Sequence, residues 1–156
     1  MTSRIAVIGV GNPWRRDDGV GWVVADEVGR RLGPAVAVVA SDGEPSRLLD
    51  AWTGVDLAVV VDAVRSDAAP GTIHVLSDEL VPDRVPPRSG SHALGLGDAI
   101  ALGRALDRLP ARLVVVAVEA EDTDAGHGLS PSVEDVVDEA ADTVARVVAA
   151  FTASCG

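Results

Sequence analysis

Two adjacent carboxylates, Asp17 and Asp18, stand in the stretch GVGNPWRRDDGVG (9–21), between glycines and just behind a short apolar run. A third, Asp62, follows the apolar run LAVVV (57–61). An ionised carboxylate after such a run needs a cation, hydrogen-bond donors or a metal, because burying an unpaired charge is very costly. Backbone N–H groups of a turn are the simpler partners for an aspartate in that position. His92 follows RSGS at the start of a helical pattern, where the positive end of the helix dipole favours the neutral imidazole that can ligate a metal. Asp18, Asp62 and His92 together make an O,O,N donor set with open positions, suited to a borderline transition metal such as nickel or zinc. The three are far apart in the chain, so only the fold can join them.

Other chemistry in the same residues has to be weighed. Gly9, Gly11 and Asn12 allow a tight turn after a strand, as in a dinucleotide-binding loop. The third glycine of that fingerprint is missing, and Pro13-Trp14 stands where a helix N-terminus would approach the pyrophosphate. The two aspartates would also repel a phosphate, with only Arg15 and Arg16 to offset them. Asp17 reads as the cap of the helix that follows, an arrangement worth about 1 kcal/mol. That leaves Asp18 to face the sheet edge, with Asp17 as its substitute. Asp42, where the second strand ends, is a further candidate, and Glu119, Glu121 and Asp122 gather where the last strand ends. His74 alternates within GTIHVL and is expected to face solvent, whereas His127 lies in a glycine-flanked loop able to shield the site or touch a partner. No Gly-x-Ser-x-Gly elbow occurs, Ser91 is expected to cap the helix that His92 opens, and the lone Cys155 lacks a positioned base.

The elements that must position these residues alternate along the chain. RIAVIGV (4–10), AVAVVAS (35–41), DLAVVVDAV (56–64) and RLVVVAVEA (112–120) read as strands, and GTIHVLS (71–77) as a half-exposed edge strand. Helical spacing runs over 18–33, 44–54, 92–109 and 130–151, the last with acids opposite a Val/Ala stripe. PDRVPPRSGS (82–91) is too broken by proline for regular structure. The alternation predicts a three-layer α/β sandwich: about five strands, largely parallel with one antiparallel edge strand, and helices on both faces. Ligands in such sheets bind at the carboxyl edge of the strands, where Asp18, Asp42 and Asp62 fall.

Composition sets the outer bounds. The 156 residues suit one domain, 1–156. The 24 acidic against 13 basic residues, all arginine, give a net charge of −11, which disfavours nucleic acid as a partner. No apolar run reaches the ~18 residues of a membrane span, and MTSRIAVIGV lacks the features of a secretory signal. One cysteine gives no disulfide framework, so a cytoplasmic location is expected.

The order of the motifs adds a resemblance. GVGNPWRRDDGVG, SDGEPSRLLDAW, VVVDAVRSDAAPGTIHVL, SGSHALGLGDAIAL, VVVAVEAED and GLSPSVEDVV resemble, in that order and over nearly the whole chain, the hydrogenase maturation proteases. The resemblance implies a five-stranded sheet between helices and an endopeptidase that removes the C-terminal extension of a nickel-iron hydrogenase large-subunit precursor after nickel insertion. It implies a nickel-contacting site at Asp18, Asp62 and His92, with the nickel supplied by the substrate. Many relatives carry Gly-Gly-Thr after the second strand's aspartate, whereas here Asp42-Gly43 runs into Glu44-Pro45. The alternative from another class is a non-catalytic metal- or nucleotide-binding module that acts as an assembly chaperone.

Overall fold

The computed structural model describes residues 3–77 and 95–155. Five strands form one sheet: β1 (Ile5–Val10), β2 (Ala37–Ser41), β3 (Leu57–Val64), β4 (Ile73–Ser77) and β5 (Arg112–Glu119). Their spatial order is β2-β1-β3-β5-β4, parallel throughout except for the antiparallel β4–β5 pair at one edge. The helices are α1 (Val20–Leu32), α2 (Pro45–Trp52), α3 (Gly95–Leu106), α4 (Pro131–Glu134) and α5 (Val137–Cys155).

Continuous Val/Ile/Leu runs in β1, β3 and β5 are explained by cover on both faces. Val7, Val59, Val61 and Val116 pack with α1 and α5, through Val24, Val28, Ala140 and Val144. Ile8, Ala58, Val60 and Val115 pack with α2 and α3, through Leu48, Trp52, Ala99 and Ile100. Trp52 is fully buried and donates its indole N–H to the Arg108 carbonyl at 2.8 Å, so the ring keeps its polar atom satisfied. This is the predicted three-layer sandwich with its antiparallel edge strand.

Two local differences affect the site. The helix expected from residue 18 opens as a 3-10 turn over Arg16–Gly19 before α1 begins, and neither segment has a side-chain cap. The terminal helix is split into α4 and α5. The expected helix over 92–109 is observed as α3 within the described residues. Ser91, His92 and the proline-rich 82–91 segment lie outside the described residues.

A close approach sets where the first loop stands. A Cβ on Gly21 would lie 2.3 Å from the Val61 carbonyl oxygen and 2.5 Å from that of Val10. A Cβ on Gly9 would lie 2.4 Å from the Gly21 carbonyl oxygen. Two facing glycines therefore seat the start of α1 directly on the carboxyl ends of β1 and β3. Gly9 does its work inside β1, as a packing position rather than as the turn residue expected from the sequence.

Candidate active site

The register builds the site. Gly9 pairs with Val61, so Val10 and the loop behind it stand beside Asp62, two residues before the end of β3. Neighbours on β3 alternate between the two cores, which places the Asp62 side chain on the face of α2 and α3. That carboxylate is 2% exposed, and its Oδ1 accepts the Ala63 N–H at 2.7 Å. Asp62 lies inside β3, within the strand expected over 56–64, and a neighbouring backbone N–H is one of its partners.

Gly11 and Asn12 shape the loop above it. Gly11 has φ 152° and donates its N–H to the Ser41 carbonyl at 3.0 Å, which joins the loop to the end of β2. The Asn12 Oδ1 accepts the Trp14 N–H at 2.9 Å, and the Asn12 N–H donates to Asp18 Oδ2 at 3.0 Å. Asp18, 9% exposed, thus closes the loop back on its own start, and its 3-10 turn packs on β3.

Asp17 is turned elsewhere, because at three residues per turn a 3-10 helix points neighbouring side chains about 120° apart. It is fully buried. Its Oδ2 accepts the N–H groups of Glu121 and Asp122, each at 2.9 Å, and the Ser130 hydroxyl at 2.8 Å. Its Oδ1 accepts the Ser130 N–H at 2.7 Å. Burial by itself would raise its pKa, but the N–H groups of Ser130, Asp122 and Glu121 and the Ser130 hydroxyl outweigh burial and hold the carboxyl below the usual range. Asp17 therefore does not cap α1, as the sequence suggested. It clamps the first loop to the β5–α4 loop, and with both oxygens engaged by four donors it is no substitute for Asp18.

Asp42 is exposed at the end of the edge strand β2. Its Oδ1 accepts the Glu44 N–H at 3.0 Å and its Oδ2 pairs with Arg47 Nη1 at 2.9 Å. Glu44 caps α2, its carboxylate accepting the Ser46 and Arg47 N–H groups, and the Asp42–Arg47 pair borders an open groove of about 580 Å³ with Trp22, Ser41 and Asp50. The structure thus brings Asp18 and Asp62 to one end of the β1–β3 pair and leaves Asp42 on the outer rim.

Two groupings escaped the sequence reading. Glu119, 1% exposed, accepts the Ser66 N–H at 3.1 Å and the Ser66 hydroxyl, and His74 Nε2 lies 3.0 Å from its Oε1. His74 thus turns one ring nitrogen to a buried carboxylate while its side chain stays 36% exposed to solvent. Ser130, the other, was visible only as the residue before Pro131; its hydroxyl serves Asp17 and makes no cap for α4. Among the described residues no three His, Cys, Asp or Glu side chains gather to hold a metal ion, and no helix is long and apolar enough to cross a membrane. His92, the proposed nitrogen donor, is outside them.

Comparison with known proteins decides what this edge belongs to. The family model described as hydrogenase maturation protease matches residues 24–147, a span that takes in Asp62 and His92 and starts after the first loop. The hydrogenase 2 maturation protease of Escherichia coli is 31% identical over 144 residues, which is 90% of this chain and 88% of the relative. The chain belongs to the hydrogenase maturation protease family. Another relative, the hydrogenase expression/formation protein HupD of Bradyrhizobium diazoefficiens, is 29% identical over 94% of this chain and 79% of its own. Among solved structures, the hydrogenase maturating endopeptidase HybD of E. coli is similar with a TM-score of 0.83 and 28% identity, covering 95% of this chain and 93% of that one. The protease is thus a peptidase, and its carboxylates stand at the edge where α/β folds place their chemistry.

Proposed function

We propose that the protease removes the C-terminal extension of a nickel-iron hydrogenase large-subunit precursor, and that it recognises the precursor's own nickel through Asp18, Asp62 and His92. The observation that supports this reading is the division of labour in the Asp17-Asp18 pair. Asp17 is used up in holding two loops together, and Asp18 is left at the β1–β3 edge with Asp62. Two carboxylates and an imidazole fit the donor preferences of a borderline divalent metal. When it is held there, the metal supplies Lewis acidity towards a carbonyl or a water. The chain's own part is to grip and orient: Asn12 N–H fixes Asp18, Ala63 N–H fixes Asp62, and the clamp of Asp17 keeps the loop in place.

The test is cleavage of purified precursor followed by mass measurement of its C-terminus, with nickel-loaded and nickel-free precursor side by side. The loaded precursor is expected to lose its tail and the nickel-free one to remain intact. Asp18→Asn, Asp62→Asn and His92→Ala are each expected to slow cleavage by about 10²-fold or more, the scale for loss of an electrostatic catalytic contact. Equal cleavage of both precursors would refute nickel recognition, unchanged cleavage by all three variants would refute the site, and binding with no mass loss would make the protein a chaperone.

A further inference from the structure

Among the described residues Trp14 is the most exposed large apolar side chain, at 63%. Its backbone is nonetheless tightly held. The Trp14 N–H donates to Asn12 Oδ1, its carbonyl accepts the Gly126 N–H at 2.8 Å, and Arg16 N–H donates to the Gly126 carbonyl at 3.2 Å. Arg15 and Gly126 form an isolated parallel bridge. The indole stands edge-on to the ring of the exposed His127, centroids 4.3 Å apart and planes at 71°. An exposed side chain on a mobile loop would need no explanation, but a rigidly mounted tryptophan beside a second ring is a preorganised contact.

The mounting itself is strained. Arg16 has φ 45°, one of two non-glycine residues with positive φ among those described. Such a backbone costs about 1–2 kcal/mol. The strained loop supplies no side chain to either core from residues 11–16, and a buried carboxylate, Asp17, holds it in place. Strain kept where it does nothing for the core points to the loop's outer surface. That surface carries Trp14, and the same loop carries Asp18 four residues later.

We infer that Trp14, with His127 beside it, is a docking anchor for the folded hydrogenase large-subunit precursor. The indole enters an apolar pocket on the precursor next to the point where its tail emerges. This rests on the proposed site at Asp18 and Asp62, because it is the shared rigid loop that ties the anchor to the place of cleavage. A tryptophan can cover 150–250 Å² of partner surface and is a preferred centre of binding energy at interfaces. An anchor bound equally before and during the reaction alters KM and not kcat.

The test is steady-state cleavage of nickel-loaded precursor by Trp14→Ala, Trp14→Phe and His127→Ala. Trp14→Ala is expected to raise KM about tenfold or more with kcat within about twofold and melting unchanged, the scale for truncating an interface tryptophan. Trp14→Phe is expected to restore most of the loss, and His127→Ala to raise KM about threefold, as fits a lost ring contact. A KM within twofold of the parent for Trp14→Ala would overturn the inference. A fall in kcat at constant KM would also overturn it, by showing that the residue only shapes the loop. Equilibrium binding of the precursor to Asp62→Asn, with and without Trp14→Ala, separates the two ideas. A weakened complex with Trp14→Ala supports the anchor even if Asp18→Asn, Asp62→Asn and His92→Ala all still cleave at the parent rate, which would sink only the site.

Discussion

Replacement of Asp17 tests the central structural claim, that one of two neighbouring aspartates is a clamp. In Asp17→Ala the N–H groups of Glu121, Asp122 and Ser130 and the Ser130 hydroxyl lose their acceptor in a fully buried place. A buried donor left unsatisfied costs about 1–3 kcal/mol. Four such groups set an upper range of about 4–12 kcal/mol by the same scale, which loop relaxation and entering water reduce. The expected loss is about 3–5 kcal/mol, a large part of the ~5–15 kcal/mol that holds a domain folded. For a chain of this size each kcal/mol moves the midpoint by about 2–4 °C, so melting should fall by roughly 6–20 °C. Thermal melts by circular dichroism measure it. A midpoint within about 2 °C of the parent would refute the clamp, since that is at most about 1 kcal/mol on the same scale.

The same carboxylate makes a prediction in pH. Its folded pKa lies below the usual value, because the N–H and O–H donors outweigh the burial that would raise it. A depressed folded pKa adds stability that is fully present above the unfolded pKa of about 3.9 and is lost as pH falls through the folded value. Denaturant titrations from pH 6 down to pH 3 should therefore show the parent losing stability below about pH 4. Asp17→Asn, weaker from the start, should lose less over that window. Parallel curves for the two proteins would show that Asp17 is not the group responsible.

Two further substitutions probe how the site is held. Gly21→Ala would drive a Cβ against the carbonyls of Val61 and Val10, at 2.3 and 2.5 Å, and neither is a flexible side-chain end. A loss of about 1–3 kcal/mol, together with reduced cleavage as the loop lifts from β3, is expected from overpacking and is read by melting and activity. Glu119→Ala strands the Ser66 N–H and hydroxyl beside a half-buried His74. It should destabilise by about 2 kcal/mol or more in denaturant unfolding.

How much of this was legible in the sequence depends on the range of the interaction. Strands of β-branched residues and helices with a 3.6-residue stripe declare themselves locally, and so the layers, the largely parallel sheet and the half-exposed edge strand could be read from alternation, while the antiparallel pairing of that edge strand is a tertiary fact. Asp62 at the carboxyl end of an apolar run was visible for the same reason. The role of Asp17 was not, because its partners are more than 100 residues away and three of the four are backbone N–H groups that no residue type signals. Local reasoning offered the nearest backbone donors, those of α1, and so suggested a cap. His74 misled in a similar way: alternation gave it a face, but only the β4–β5 pairing brought Glu119 within 3.0 Å.

The sequence by itself determined the fold class, the edge at which chemistry is possible and the set of acids that can reach that edge, since these follow from periodicity and from the cost of burying charge. The tertiary structure alone decided which acid of the Asp17-Asp18 pair is structural. Two adjacent aspartates have the same chemistry, and what separates them is the direction in which a 3-10 turn points each one. One meets four donors on a distant loop, while the other closes its own loop above β3.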